Sequence, residues 1–147
     1  MATKHLMQGG QVVSMQPPRT TNGGFNSGEL MLTNAQDAFI VVHVTNAAGD
    51  ATQFSLQQDD GTTTWSAVPV TQNCWVSENV ATTAISRQTN RVSHTVDVNV
   101  SNKIIIFRVN PDSLSDGFNR VRLVSANSGE ATNFASVVGY HLPARYS

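Results

Sequence analysis

The sequence predicts an all-β domain, an antiparallel β-sandwich or jelly roll with an extended N-terminal arm. The first observation is a series of short runs in which apolar and polar residues alternate between turn-forming residues. The second is that no stretch repeats its apolar residues with the period of a helix. The third is the spacing of the turns, about 8–12 residues, which is typical of sandwiches and jelly rolls. We assign residues 1–28 to the arm and residues 29–147 to the sandwich.

Residues 103–142 carry the clearest part of this pattern. Three apolar or alternating runs, KIIIFRV, FNRVRLV and ATNFASVVGYHL, are separated by turns rich in Asn, Asp, Ser and Gly. Consecutive antiparallel strands have this form. Gly139 in the last run predicts a bulge or a close approach of the backbone to a neighbour. The best helix candidate is one turn at residues 111–115, with Asn110 as its N-cap and Pro111 in the first position.

Earlier strands are predicted from the same alternation. Pro69 confines the run around it to an edge strand or a loop, because proline cannot donate a ladder hydrogen bond. The other strand candidates are residues 11–15, 29–33, 38–45, 51–58 and 91–100. The apolar faces of these runs predict an inter-sheet core that includes Phe39, Phe54, Phe107, Leu123 and Phe134.

Length, cysteine content and net charge limit the class of protein. A chain of 147 residues fits one domain, and its single cysteine, Cys74, excludes an intrachain disulfide. No apolar run approaches the about 20 residues that a membrane span needs, and the first residues lack the apolar segment of a signal peptide. We therefore expect a soluble protein made in the cytosol, without a membrane partner. The net charge of −1 offers no footprint for nucleic acid.

Charged residues are sparse. They make up 13% of the chain, against about 25% in an average globular domain. Ser, Thr, Asn and Gln supply the polarity instead. A neutral polar surface produces little repulsion between molecules, which suits a protein that packs against copies of itself. Ordinary β-sheet surfaces have a similar composition, so both interpretations stay open.

Residues 1–28 are predicted to form an extended arm that becomes ordered on a partner. The segment is rich in glycine, and its proline pair favours an extended chain. We expect the arm to supply binding energy rather than folding energy, so that the domain folds without it. The alternative is a loose terminus. The predicted interface residues of the arm are Val12, Val13, Met15, Pro17, Pro18 and Phe25.

No motif in the sequence indicates catalysis. The chain has no phosphate-binding loop, no H-E-x-x-H and no dinucleotide-binding glycine pattern, and Leu114 interrupts a partial resemblance to a calcium loop. His43 and His94 could bind a metal if their strands were neighbours, but a hydrogen-bonded core histidine is the favoured interpretation. The sequence therefore predicts a protein that is not an enzyme, with no catalytic, cofactor-binding or metal-binding residues and no small-molecule substrate.

Trp65 and Trp75 are the best candidates for a binding surface. Together with neighbouring Asn and Gln residues they could form a platform on which a sugar stacks. The alternative places one tryptophan in the core and the other at its rim, because tryptophan is commonly only partly buried.

The closing block, IIFRVNPDSLSDGFNRVRLVSANSGEATNFASVVGYHLPARY, resembles the C-terminal hairpins of head-decoration (capsid cementing) proteins of tailed bacteriophages. The Gly- and Asn-rich arm and the low-charge all-β body extend this resemblance, although the block covers under a third of the chain and holds no diagnostic motif. The family implies a jelly-roll or sandwich fold, no catalysis, and many copies bound to a major capsid protein through dimeric or trimeric contacts. It implies a place on the capsid surface of a virion assembled in the host cytoplasm.

Three functional classes stay open. A virion structural protein, which decorates and stabilises a phage capsid as a homo-oligomer, accounts for the arm, the sparse charge and the missing active site. A carbohydrate-binding module or a tail-fibre receptor-binding domain accounts for the tryptophans and the sandwich, but not for the arm. An enzyme would need a site that the sequence does not show. The first class is the main prediction.

Overall fold

A computed structural model describes residues 10–62, 64–82 and 84–143, and it confirms the predicted all-β sandwich. Within these residues the helical segments are two short 3-10 turns, Val80–Thr82 and Pro111–Ser113. No helix in this part of the chain is long and apolar enough to cross a membrane. The strands are β1 (Gln11–Thr20), β2 (Phe25–Asn26), β3 (Leu30–Met31), β4 (Ala35–Asn46), β5 (Thr52–Asp59), β6 (Ser66–Ala67), β7 (Asn73–Ser77), β8 (Ser86–Arg87), β9 (Ser93–Val96), β10 (Asn99–Val109), β11 (Arg120–Ser125) and β12 (Phe134–Pro143).

The strands form two six-stranded sheets. Sheet A has the order β1-β12-β4-β10-β7-β8, and sheet B has the order β2-β11-β5-β6, with β3 also paired to β11 and β9 to β5. All of these pairs are antiparallel. The strands β4 and β10 lie in the middle of sheet A, and residues 38–45 of β4 pair with residues 102–109 of β10 without a register shift.

The core lies between the inner faces of the two sheets. Strands β4 and β10 supply alternate, fully buried residues, namely Ile40, Val42, Val44, Ile105, Phe107 and Val109. Sheet B covers them with Phe54, Leu56, Val121 and Leu123. The core prediction is therefore confirmed for Phe54, Phe107 and Leu123.

The core prediction is wrong for Phe39 and Phe134. Phe134 is 45% exposed and Phe39 is half-buried, and both lie on the outer face of sheet A. Their strands, β4 and β12, carry apolar side chains on both faces, so alternation alone does not decide which face points inward. On β12 the buried residues are the smaller Ala135 and Val137.

Residues 10–28 are built into the sandwich, which differs from the free arm that the sequence predicts. Strand β1 forms one edge of sheet A by pairing with β12, and β2 pairs with β11 in sheet B. Met15 is 4% exposed and Phe25 is buried, so both belong to the core, and Val13 packs against it. The other predicted interface residues are exposed, namely Val12, Pro17 and Pro18. Residues 1–9 of the predicted arm lie outside the described residues.

Gly139 makes room for Met15. It lies on β12 opposite Val13, and a Cβ atom at this position would be 2.6 Å from Met15 Sδ and 3.1 Å from both Cδ atoms of Leu30. Neither strand pair of β12 shifts register at this residue. The close approach predicted from the sequence is therefore present, and the bulge is not.

The predicted helical turn and the predicted proline position are also present. Asn110 Oδ1 accepts a hydrogen bond from the backbone N–H of Asp112 at 3.0 Å, at the start of the 3-10 turn Pro111–Ser113. Pro69 lies in the loop that follows β6, where no ladder hydrogen bond is required of it. Both segments contribute to the cleft described below.

Replacing Phe107 by alanine should lower the free energy of unfolding by about 3–5 kcal/mol, because the change empties a fully buried aromatic site. The Phe134→Ala variant removes the same atoms from an exposed site and should cost about 1 kcal/mol or less. Chemical denaturation of both variants measures the difference. Equal losses would contradict the assignment of the inner and outer faces of sheet A.

The position of Met15 can be tested with a second pair of variants. Met15→Ala should lower the free energy of unfolding by about 2–5 kcal/mol, because it leaves a cavity between β1, β12 and β3. Val12 lies on the same strand and is 49% exposed, so Val12→Ala is the control variant. Its melting temperature and its free energy of unfolding should change little. If Met15→Ala were as stable as the wild type, the assignment of Met15 to the core would be wrong.

Candidate binding surfaces

The outer face of sheet A has an apolar row across its middle. Val138, Val41, Ile106 and Trp75 lie directly opposite one another on the four neighbouring strands β12, β4, β10 and β7. They point outward because the alternate residues of these strands fill the core. We define the apolar face as this row and its apolar neighbours, that is Phe39, Val41, Trp75, Ile104, Ile106, Val138 and Tyr140; His43 and Ser136 border it on the same side of the sheet.

The apolar face is only partly covered by the protein's own side chains. Val138 is 39% exposed, and the exposed Phe134 lies on the same strand. The ring centres of Phe39 and Tyr140 are 6.5 Å apart, so these two side chains shield each other. An ion pair between Arg108 and Asp37 marks the end of the face where β10 finishes. Such a surface is compatible with burial against another protein, since interface cores are depleted in charge.

The outer face of sheet B is mainly polar. Its outward residues include Gln53, Ser55, Gln57, Thr95, Arg120 and Arg122. The Arg122 guanidinium lies 4.3 Å from the ring centre of Trp65, and its Nε and Nη2 donate to Gln57 Oε1 at 2.9 and 2.7 Å. These contacts fix Trp65 to the outer face of sheet B through Arg122.

Trp65 and Trp75 therefore lie on opposite outer faces of the sandwich. Trp75 belongs to sheet A, where the Arg87 guanidinium covers its ring at 5.2 Å, and Trp65 contacts Arg122 on sheet B. Both side chains are half-buried, and neither lies in the core. The single two-tryptophan platform considered in the sequence analysis is not formed, because the two strands that carry the arginine partners belong to different sheets.

The two candidate metal-binding histidines also lie on different sheets. His43 is exposed on the outer face of β4, whereas His94 lies on β9, where its Nδ1 is 2.9 Å from Arg91 Nη1 and its Nε2 is 3.2 Å from Glu78 Oε1. His94 is thus a hydrogen-bonded, partly buried histidine. In the described part of the chain, no group of three or more His, Cys, Asp or Glu side chains is placed to hold a metal ion.

A polar cleft of about 410 Å³ lies at one end of sheet A, where β4 begins and β10 ends. Arg108 and Asp37 form an ion pair of 2.7 Å in it, and the hydrogen bond and charge of Asp37 raise the pKa of the Arg108 guanidinium. The lining residues with the strongest polar groups are Asp37, Gln72, Asn73, Asn90, Arg108 and Asn110.

Gln72 forms the rigid base of this cleft. It is buried, and its Nε2 donates to the Val70 carbonyl and to Ser113 Oγ, each at 2.7 Å. Its Oε1 accepts the backbone N–H of Asn110 at 2.9 Å. One side chain therefore joins the loop before β7 to the turn after β10. Sequence reasoning missed this role, because the partners are about 40 residues apart and no motif marks them.

Arg87 orders the wall of the cleft next to Trp75. Its Nη2 donates to Asn73 Oδ1 at 2.8 Å and to Asn90 Oδ1 at 2.6 Å, while its guanidinium stacks on the Trp75 ring. Two amides and an aromatic ring thus hold one guanidinium in place. This arrangement links the cleft to the edge of the apolar face.

Two further groups with reactive chemistry are buried. Cys74 lies in the core, and burial raises the pKa of its thiol to about 11. Lys103 is buried at the register shift of β10, where its Nζ donates to Asn99 Oδ1 and to the Ser101 carbonyl at 2.9 Å, and burial lowers its pKa. Lys103 therefore holds the bulged backbone in place.

No protein-family model and no curated protein matches the chain. Among solved structures, the SPBc2 prophage-derived protein YomS matches with a TM-score of 0.52 and 8% identity, over 90% of this chain and 92% of that chain. The enzymatically active domain of tailspike protein 4 of bacteriophage CBA120 gives a TM-score of 0.46 and 11% identity, and the match covers 97% of this chain and 17% of that chain. A CBM4 structure gives 0.38 and 15% identity, over 94% and 73% of the two chains. The likeness to YomS shows a common sandwich fold.

Cys74 should resist alkylation in the folded protein. With a pKa of about 11, only about one thiol in a thousand is ionised at pH 8, and the side chain is inaccessible. Labelling with iodoacetamide, followed by mass spectrometry, should be slow in buffer, faster as the pH rises, and rapid in guanidinium chloride. Equally fast labelling with and without denaturant would contradict the core position of Cys74.

Proposed function

We propose that this protein is a non-enzymatic structural component of a tailed-phage particle, which decorates and stabilises the capsid as a homo-oligomer. The observation that carries the proposal is the apolar face of sheet A, whose central row crosses four neighbouring strands. Contiguous exposed apolar surface on a soluble protein commonly marks an interaction site. The proposed partners are one or two further copies of this chain, in a dimer or trimer, and a major capsid protein.

The sparse charge of the whole chain supports this attachment. Few Lys or Glu side chains have to be desolvated when such a surface is buried, so association meets a smaller electrostatic penalty. Strand addition at the edge of sheet A is disfavoured, because Pro17 and Pro18 in the edge strand β1 have no backbone N–H to donate. The side-chain surface of the apolar face, rather than an arm, is the main proposed contact.

The fold comparison supports a phage context. YomS, described as prophage-derived, has the same sandwich over nine-tenths of this chain. One fold can host many functions, so this likeness adds to the argument from the apolar face and does not replace it. The proposed location is the capsid surface of a virion that is assembled in the host cytoplasm.

A second candidate function is ligand binding by a carbohydrate-binding module or a tail-fibre receptor-binding domain. The observation that favours it is the polar cleft between Asp37, Asn90 and Asn110, with its rigid base and its ordered wall. The two tryptophans do not support it as a pair, since they lie on opposite faces. The two functions use different parts of sheet A, so they can be tested separately.

Val138→Lys tests the proposed attachment. Wild-type protein should sediment as a dimer or trimer and should bind shells assembled from a tailed-phage major capsid protein. A lysine at Val138 would have to be desolvated in the interface, so self-association and shell binding should weaken at least about tenfold. Analytical ultracentrifugation and co-sedimentation with shells measure the two effects.

Val100→Lys is the matched control for Val138→Lys. Val100 is 88% exposed and lies at the opposite end of β10 from Arg108, outside the apolar face, so the same substitution should leave both readouts unchanged. The proposal fails if wild-type protein stays monomeric at high concentration and does not bind shells. It also fails if both lysine variants behave like the wild type.

A further inference from the structure

The side-chain oxygens of the cleft asparagines each accept one hydrogen bond from the protein. Asn73 Oδ1 and Asn90 Oδ1 accept hydrogen bonds from Arg87 Nη2, and Asn110 Oδ1 accepts the N–H of Asp112. Each partner is a donor, so the orientation of each amide follows from its hydrogen bond. Within the described part of the chain, the three Nδ2 groups of these asparagines have no protein partner.

Arg108 contributes a further donor of the same kind. Its Nε and Nη2 both bind Asp37 Oδ2, at 2.8 and 2.7 Å, which leaves Nη1 available. Gln72 has no donor to spare, because its Nε2 donates to both Val70 and Ser113, and its Oε1 accepts the backbone N–H of Asn110. Each of these side-chain oxygens therefore already accepts a hydrogen bond from the protein, whereas the three Nδ2 groups and Arg108 Nη1 donate none within the described residues.

The charge around the cleft favours a ligand that presents a negatively charged group. Asp37 and Arg108 neutralise each other, while Arg87 is bound by amides and has no carboxylate partner among the ion pairs of the described residues. The lining itself is therefore neutral, and Arg87, which bonds to two lining asparagines without lining the cleft, adds one positive charge beside it. A carboxylate matches this charge and accepts hydrogen bonds from several N–H donors, and such charge-assisted bonds are stronger than neutral ones.

The size and lining of the cleft indicate a hydroxyl-rich molecule around that carboxylate. A volume of about 410 Å³ fits a small molecule, and typical cavities for apolar ligands have far more apolar walls. Thr71, Ser113 and Gln36 add further polar side chains around the asparagines. Gln72 and Arg87 hold the donors in position before a ligand arrives, which lowers the entropy cost of binding.

We propose that this cleft binds a carboxylated saccharide, with the Nδ2 groups of Asn73, Asn90 and Asn110 and Nη1 of Arg108 donating to its carboxylate and hydroxyl oxygens. This site goes beyond the proposed capsid attachment and does not depend on it, because it lies at the end of sheet A and the apolar face lies in the middle. It would let a particle that carries many copies adhere to acidic polysaccharide through multivalent contacts.

Asn90→Asp is the decisive substitution. It keeps an oxygen for Arg87 but replaces the Nδ2 donor by a charged acceptor, so the fold should be retained while the ligand carboxylate is repelled. The probe is trigalacturonate, titrated into the full chain by calorimetry and by NMR of the Asn side-chain NH2 signals. Wild-type protein should bind it with shifts at Asn73, Asn90 and Asn110, and Asn90→Asp should weaken binding at least about tenfold.

Asn102→Asp is the matched control for Asn90→Asp. Asn102 is exposed on the same sheet, where it pairs with Thr45 at the end of β10 that is distant from Arg108. The Asn102→Asp substitution therefore introduces the same negative charge outside the cleft. Its affinity for trigalacturonate should stay within about twofold of the wild type. Thermal melting of both variants, with midpoints close to the wild type, would show that any loss arises from the site rather than from unfolding.

Four outcomes would overturn the assignment. No binding of trigalacturonate at millimolar concentration would remove the site, and an unchanged affinity in Asn90→Asp would place the ligand elsewhere. Equal binding of the trimethyl ester would show that the carboxylate is not recognised. An equal affinity for N-acetylglycine would show that the cleft recognises a carboxylate alone, without the sugar. The Val138→Lys variant should bind trigalacturonate normally, so failure of capsid attachment and failure of this site are distinguishable.

Discussion

The packing of Phe107 between Ile40 and Cys74 is the constraint on which the rest of the structure depends. These residues lie directly opposite one another on β10, β4 and β7, and all three are fully buried. Because side chains alternate along a strand, burying this row sets the direction of every other residue on the three central strands. Phe39, Ile106 and Trp75 must therefore point outward. The apolar face is a direct consequence of how the core is packed.

The cleft depends on the same strands but on a different kind of interaction. At the end of β10 the stabilising group is a buried amide, Gln72, instead of an apolar side chain. Gln72 forms hydrogen bonds with the loop before β7 and with the turn after β10. At the opposite end of β4, Asn133 plays a similar part, with its Nδ2 donating to Asn46 Oδ1 at 2.9 Å and to the Ala48 carbonyl at 2.7 Å. Buried polar groups with all bonds made rigidify the loops around them. This rigidity lets a polar cleft persist at the end of the sheet.

Several structural features could be predicted from the sequence because they are local. Alternation in residues 103–109 and 118–124 identified the central strands, and Asn110 with Pro111 identified the 3-10 turn. The N-terminal segment could not be assigned in this way. Its glycine and proline content is typical of a free arm, yet Met15 and Phe25 fill the core, since Gly139 leaves space for Met15 and the edge of sheet A is open to β1.

The sequence by itself determined the fold class, the approximate strands and the scarcity of charge, because each of these is a property of neighbouring residues or of composition. Only the tertiary structure decided which face of β12 points inward, since both of its faces are apolar. It also decided that Trp65 and Trp75 are separated by the whole sandwich. The cleft could not be predicted from the sequence for the same reason. Asp37, Asn90 and Arg108 meet there through strand order and register, which long-range packing sets and no local pattern encodes.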